Sequence, residues 1–220
     1  MTRAPQGRWA ARVNDWCLQP WVKPLLFVLL LLPLGWLVWA VVFDHLGANP
    51  AQALVRATGD WTLRALCLVL AVTPLRVSLQ LPVLARWRRM LGLFVYFYAV
   101  LHLLSYSWFD MGFDVGDITH DIAKRPFILV GFTGFVLLSV LALTSSNRLV
   151  RAMGGKNWQR LHRLVYAVAG LALLHFFWMR AGKNDFAGVV PYAVIISVLL
   201  AWRVKRFWNF NKKLASSSHP

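Results

Sequence analysis

The sequence predicts an all-α integral membrane protein, a bundle of six transmembrane helices with both termini cytoplasmic. Three observations carry that prediction. The 220-residue chain is 59% hydrophobic with a mean hydropathy of +0.56, more apolar than a soluble domain of this size. Its apolar residues gather into runs of about 20, the length that crosses a hydrocarbon core of ~30 Å. Its Lys and Arg gather in alternate loops, the pattern that sets membrane orientation.

Residues 1–24 form a basic N-terminal segment. No short apolar stretch with a small-residue cleavage site follows it, so the first span reads as retained. Spans are expected near 25–43, 61–79, 89–108, 127–145, 160–179 and 188–207. That gives a transmembrane domain over 25–207 and a cytoplasmic tail over 208–220. Pro24, Pro82 and Pro126 stand at or near span starts, whereas Pro33, Pro74 and Pro191 fall within spans, where neighbouring helices re-satisfy the freed backbone groups.

The charges orient the bundle. Arg3, Arg8, Arg12 and Lys23 precede span one; Arg76, Arg86, Arg88 and Arg89 follow span two. Arg148, Arg151, Lys156, Arg160 and Arg163 follow span four, and Arg203, Lys205, Arg206, Lys212 and Lys213 close the chain. These are eighteen of the 24 basic residues; Arg56, Arg64, Lys124, Arg125, Arg180 and Lys183 lie on the other side. Seven of the eight Asp are also on that outer side, with Asp15 the exception, and there is no Glu. The net charge of +16 is therefore topological. It points to contact with anionic lipid in the bilayer and away from nucleic acid. Cys17 and Cys67 form neither a disulfide framework nor a metal motif. No Asp, Glu or Lys lies deep in a span, which argues against a proton pump or ion-coupled transporter.

Three of the six histidines lie in spans: His102 in span three, His162 and His175 in span five. His45 and His120 are in outer loops and His219 is in the tail. An imidazole in a bilayer is costly and faces the bundle interior. The plain alternative, local hydrogen bonding for each, is weaker for three on two helices at matching depths. Spans three and five both enter from the cytoplasm, so His102 and His175 reach a similar level in the outer half. His162 lies at the cytoplasmic end, ~20 Å from His175 along the helix axis. Facing neutral imidazoles are the usual axial ligands of an electron-transfer haem, and the separation suits two stacked redox groups. Thirteen residues turn an ideal helix by about 220° net, so either over-winding near Gly170 or ligation from different sides is needed. Arg88 stands where a second ligand opposite His162 would be. It stays protonated and is a poor iron ligand, but is a candidate partner for a haem propionate. Gly92 is a candidate for making room beside a flat ring.

The motifs VTPLR (72–76), WRRMLGLFVYFYAVLHLLSY (87–106), AKRPFILVGFTGF (123–135), LALTSSN (141–147) and GGKNWQRLHRLVYAVAGLALLHFFW (154–178) together resemble the MsrQ (YedZ) family. These are the haem-binding membrane subunits of the MsrPQ protein-methionine-sulfoxide reductase system. They sit within the ferric-reductase-like group that includes the NADPH oxidases and STEAP proteins. The resemblance implies a multi-pass protein of the bacterial inner membrane carrying b-type haem, with iron bound by His102, His175 and His162, and it implies FMN, on residues the sequence does not identify. It implies electrons drawn from a cytoplasmic flavin reductase or from quinol. They would pass to MsrP, a periplasmic molybdenum enzyme that repairs oxidised methionine. NADPH oxidases carry two His on both helices; Arg88 departs from that pattern. The alternative within the group is a stand-alone membrane ferric or oxygen reductase acting at the outer haem. The outer stretch FDMGFDVGDITHDIAKRP offers Asp110, Asp114, Asp117 and Asp121 for docking a partner by charge.

Overall fold

The computed structural model describes residues 7–181 and 184–217, with side chains to Lys212. His219, Arg3 and Lys183 lie outside the described residues. Among those described there are ten α-helices and no strand: α1 (Arg8–Cys17), α2 (Val22–Val42), α3 (Pro50–Ser78), α4 (Leu84–Phe109), α5 (Val115–Lys124), α6 (Pro126–Leu143), α7 (Asn147–Met153), α8 (Gly155–Leu161), α9 (Val165–Ala181) and α10 (Val189–Ser217). A 3-10 turn, His162–Leu164, joins α8 to α9.

Five segments are long and apolar enough to cross a membrane: α2, α3, α4, α6, and the run Gly155–Ala181 that contains α8 and α9. The helix α10 carries Arg203, Lys205 and Arg206 through its middle and is not among the five.

Local chemistry explains the boundaries. The helix α3 starts eleven residues before the expected 61, because Asn49 caps it by accepting the Gln52 N–H at 3.0 Å and Pro50 takes the first turn, the pairing that helix starts favour. The helix thus carries Arg56, Asp60 and Arg64. Asp114 caps α5 by accepting the Asp117 N–H at 2.9 Å. Arg125 then turns extended before Pro126, which opens α6, as the restriction on a residue preceding proline requires. Ser146 caps α7 in the same way.

The helices pack as two close pairs, α3 along α4 and α6 along α9, joined by α10 against α3 and α9 and by α4 against α6. Leu66, Leu70, Val95, Val168, Ala169 and Ile196 are the centre of the core. The helix α2 is peripheral; Tyr98 ties it to α4 by donating to the Leu30 carbonyl at 2.7 Å. Its outward Phe27, Leu32, Trp36 and Val42 are exposed, as lipid-facing side chains are. The helices α4 and α9 do not pack closely on one another, which leaves a slot between the two pairs.

Candidate functional site: two facing histidines and an inner cavity

His102 of α4 and His175 of α9 meet across that slot, with ring centroids 6.3 Å apart and planes at 73°. Each ring is pinned from behind by the partner helix of its own pair. His102 Nδ1 lies 2.9 Å from the Val55 carbonyl of α3, and His175 Nδ1 lies 2.7 Å from the Phe127 carbonyl of α6. A carbonyl only accepts, so each Nδ1 must carry the proton and donate. Each Nε2 then keeps its lone pair. This is how a backbone carbonyl fixes the tautomer and direction of a metal-binding histidine.

The separation is chemically specific. Metal–imidazole bonds of about 2.0 Å and a ring radius of about 1.2 Å put the centroids of two opposed imidazoles ~6.3 Å apart across one metal ion. The observed distance matches that arrangement, and hydrogen-bonded packing of the two rings on each other would not need it. The slot, the two free Nε2 lone pairs and the two Nδ1 anchors fit a planar group held on both faces through a central metal, as in bis-histidine haem.

Close backbone approach makes the anchors reachable. A Cβ added to Gly131 of α6 would stand 2.7 Å from His175 Nδ1 and 2.8 Å from its Cε1, and one added to Gly59 of α3 would stand 3.1 Å from His102. Neither glycine was visible as a site residue in the sequence, because the requirement arises only when the helix pairs meet.

The outer end of the slot is braced by a buried carboxylate. Asp121 is 6% exposed; it accepts from the Tyr106 hydroxyl at 2.6 Å and pairs with Arg125 at 2.7 Å. Tyr106 lies one turn beyond His102 on α4, and Arg125 lies two residues before Phe127. The network therefore ties the histidine helix to the corner that presents the Phe127 carbonyl. The expected place of Asp121 on a charged docking face is corrected here: its carboxylate is turned inward and already paired. Asp110, Asp114 and Asp117 are exposed. Tyr106→Phe leaves the buried carboxylate short of a donor, which costs about 1–3 kcal/mol. Thermal melting in detergent is expected to show a Tm lower by several degrees, with the larger loss in Asp121→Ala.

His162 is placed apart from this pair. It sits in the 3-10 turn, its ring stacked on Trp158 at 3.9 Å. Its Nδ1 lies 3.1 Å from the Trp158 carbonyl, and its Nε2 lies 3.3 Å from Ser145 Oγ. Trp158 is itself held by donating to the Thr144 carbonyl at 3.1 Å. The expected over-winding is at His162–Leu164, not at Gly170. Three residues at about 120° each bring the turn from His162 to His175 to ~280°, nearer a common face. His162 lines a cavity of about 240 Å³ together with Arg88, Arg89, Gly92, Leu138 and Trp158. An added Cβ at Gly92 would meet nothing within 4 Å, consistent with open room there. Thus the structure brings His162, Arg88 and Gly92 to one cavity, and His102 and His175 to the slot. Among the described residues no three His, Cys, Asp or Glu gather as a metal cluster, the acidic stretch included.

This fold, with paired membrane helices presenting half-buried histidines to a central slot, defines a class. Residues 58–173 match the family described as the ferric reductase like transmembrane component. That range begins at Thr58, beside Gly59, and ends just before His175. Proteins called protein-methionine-sulfoxide reductase heme-binding subunit MsrQ are similar along nearly the whole chain. The one from Polaromonas naphthalenivorans is 64% identical over 96% of both chains. The one from Herminiimonas arsenicoxydans is 52% identical over 87% of both, and that from Bordetella pertussis is 48% identical over 86% of this chain and 91% of its own. The chain belongs to the MsrQ family of ferric-reductase-like membrane proteins.

Proposed function

We propose that this chain is the haem-binding, electron-transferring membrane subunit of a protein-methionine-sulfoxide reductase system, with α10 as a sixth crossing and both termini cytoplasmic in the bacterial inner membrane. The observation that carries this reading is the His102–His175 pair, at 6.3 Å between centroids with both Nδ1 atoms anchored on carbonyls. A b-type haem bound there supplies a one-electron carrier. His102 and His175 would hold it through their Nε2 lone pairs. The Val55 and Phe127 carbonyls keep the Nδ1 protons in place and stop either ring from rotating. Both imidazoles would be committed to holding that group, which would leave neither for substrate. Those features favour electron transfer through the site over chemistry at it, and so favour this reading over a stand-alone ferric or oxygen reductase.

The inner cavity is proposed to hold a second redox group beside His162, with Arg88 and Arg89 facing its anionic edge. FMN, implied by the family resemblance, is proposed as a cofactor without a residue assignment. The donor is a cytoplasmic flavin reductase or membrane quinol, and the acceptor is periplasmic MsrP, docked on the exposed acids of the outer loop. Replacing Asp110, Asp114 and Asp117 with Asn retains the α5 cap, since Asn caps as Asp does. The triple variant is expected to slow electron delivery to MsrP several-fold and flatten its salt dependence, with haem per chain unchanged. Unchanged delivery would place docking elsewhere.

The central test is the visible spectrum of the detergent-purified protein, oxidised and dithionite-reduced, with haem quantified per chain. A low-spin b-type spectrum is expected. A folded, colourless protein that takes up no added haem would end the proposal. His162→Ala is expected to leave the low-spin signal of the outer pair largely intact and to remove any second haem. Loss of all haem in that variant would overturn the pairing.

A further inference from the structure

A second cavity, of about 150 Å³, lies on the opposite side of α4 from this chemistry. It opens where the end of α1, the turn into α2 and the start of α4 meet, and its lining includes Cys17, Gln19, Lys23, Arg86 and Trp87. Two cations thus converge on it from different elements, and no carboxylate lines it. The ion pairs found among the described residues, Arg125–Asp121 and Arg180–Asp185, are elsewhere.

The helix α1 sets the depth of this cavity. At 100° per residue, Arg8, Arg12 and Asp15 fall within about 60° of one another on one face. Ala10, Val13 and Cys17 fall on the opposite face, and these pack on Leu81, Val83 and Trp87. The Asn14 side chain fixes the helix further by accepting the Val83 N–H at 3.1 Å. Trp9 and Trp16 project sideways between the two faces, 61% and 55% exposed, with Trp21 46% exposed beside them. Trp16 and Trp21 meet edge to face at 5.0 Å. A clamped amphipathic helix with lateral tryptophans and a basic outer face lies in the interfacial plane, where indoles sit at headgroup level. Lys23 stands at the very start of α2, at the same boundary.

We propose that this cavity binds the phosphate of an anionic phospholipid, with Lys23 and Arg86 as its cationic contacts and α1 as the wall that holds the headgroup against α4. The lipid is part of the protein's own architecture, joining the interfacial helix to the helix that carries His102. The choice of a lipid over a soluble anion follows from the depth of the site, between exposed tryptophans and the start of a membrane span.

The test uses the full chain, delipidated in detergent and titrated with phosphatidylglycerol or with phosphatidylcholine, with bound lipid counted by native mass spectrometry. Wild type is expected to retain phosphatidylglycerol and to bind phosphatidylcholine weakly. Removing one cation near a lipid surface weakens binding about fivefold, so Lys23→Gln with Arg86→Gln is expected to weaken phosphatidylglycerol retention roughly 25-fold. Arg151→Gln with Lys156→Gln, on the same basic side but away from the cavity, is expected to have no effect. If the double variant fails to fold, Lys23→Gln alone is expected to show the fivefold loss. Retention unchanged in the cavity variants, equal loss in the control variant, or equal binding of phosphatidylcholine would each overturn the proposal.

Discussion

His102→Ala and His175→Ala are each expected to abolish the low-spin haem signal and to cut electron delivery to MsrP by at least about two orders of magnitude. Loss of a single supporting contact behind a metal ligand already costs 10–100-fold, and here the ligand itself goes. The two imidazoles belong to different helix pairs and are held by different carbonyls, so neither can move over to replace the other. Removing one leaves a single anchored Nε2, and what haem remains is expected to be high-spin with an open position. Two controls define the effect. His45, exposed and stacked on Trp39 at 4.7 Å, should tolerate alanine without change in the spectrum. His162→Ala should change haem stoichiometry without removing the low-spin species. Absorption spectra and haem per chain decide the outcome; a low-spin spectrum retained in His102→Ala would place the haem elsewhere.

Much of this was readable from one sequence, because membrane segments declare themselves through length and apolarity and because a buried histidine is rare. The opposition of His102 and His175 follows from depth counted along two helices that run in the same direction. What failed to show depended on three-dimensional encounters or on local capping. Gly59 and Gly131 are ordinary helix residues until two helices approach within van der Waals contact of an imidazole. Asp121 belongs in sequence to an acidic run, and only its spacing of four from Arg125 hints at the inward ion pair. The early start of α3 rests on the Asn49–Pro50 cap, which lies ahead of the apolar run and so outside a span read from apolarity. The helix α1 is a ten-residue amphipathic segment whose apolar face has meaning only against Leu81 and Val83. The over-winding that brings His162 toward the face of His175 sits in the 3-10 turn at His162–Leu164, where the chain passes from α8 to α9.

Gly131→Ala tests the slot without touching a ligand. In a helix, alanine is favoured over glycine by about 1 kcal/mol, so on propensity alone the change stabilises α6. The new methyl, however, would stand 2.7 Å from His175 Nδ1 and 2.8 Å from Cε1. The imidazole is rigid and cannot fold away. It also cannot swing aside and keep its 2.7 Å bond to the Phe127 carbonyl, since Phe127 and Gly131 are one turn apart on the same helix. The ring must tilt and lose its aim, or α6 must withdraw from α9 and open the pair that supports it. Either way haem binding falls while helix content holds. Gly59→Ala presses on His102 less, at 3.1 Å, and Gly92→Ala meets nothing within 4 Å. The expected order of low-spin haem per chain is therefore Gly92→Ala close to wild type, Gly59→Ala reduced, and Gly131→Ala lowest, losing more than about half, because an overpacked buried site costs 1–3 kcal/mol. Circular dichroism separates this from unfolding: helical signal should persist in all three. A wild-type spectrum in Gly131→Ala would show that His175 has slack behind it, and the carbonyl-anchored geometry would then not be what fixes the pair.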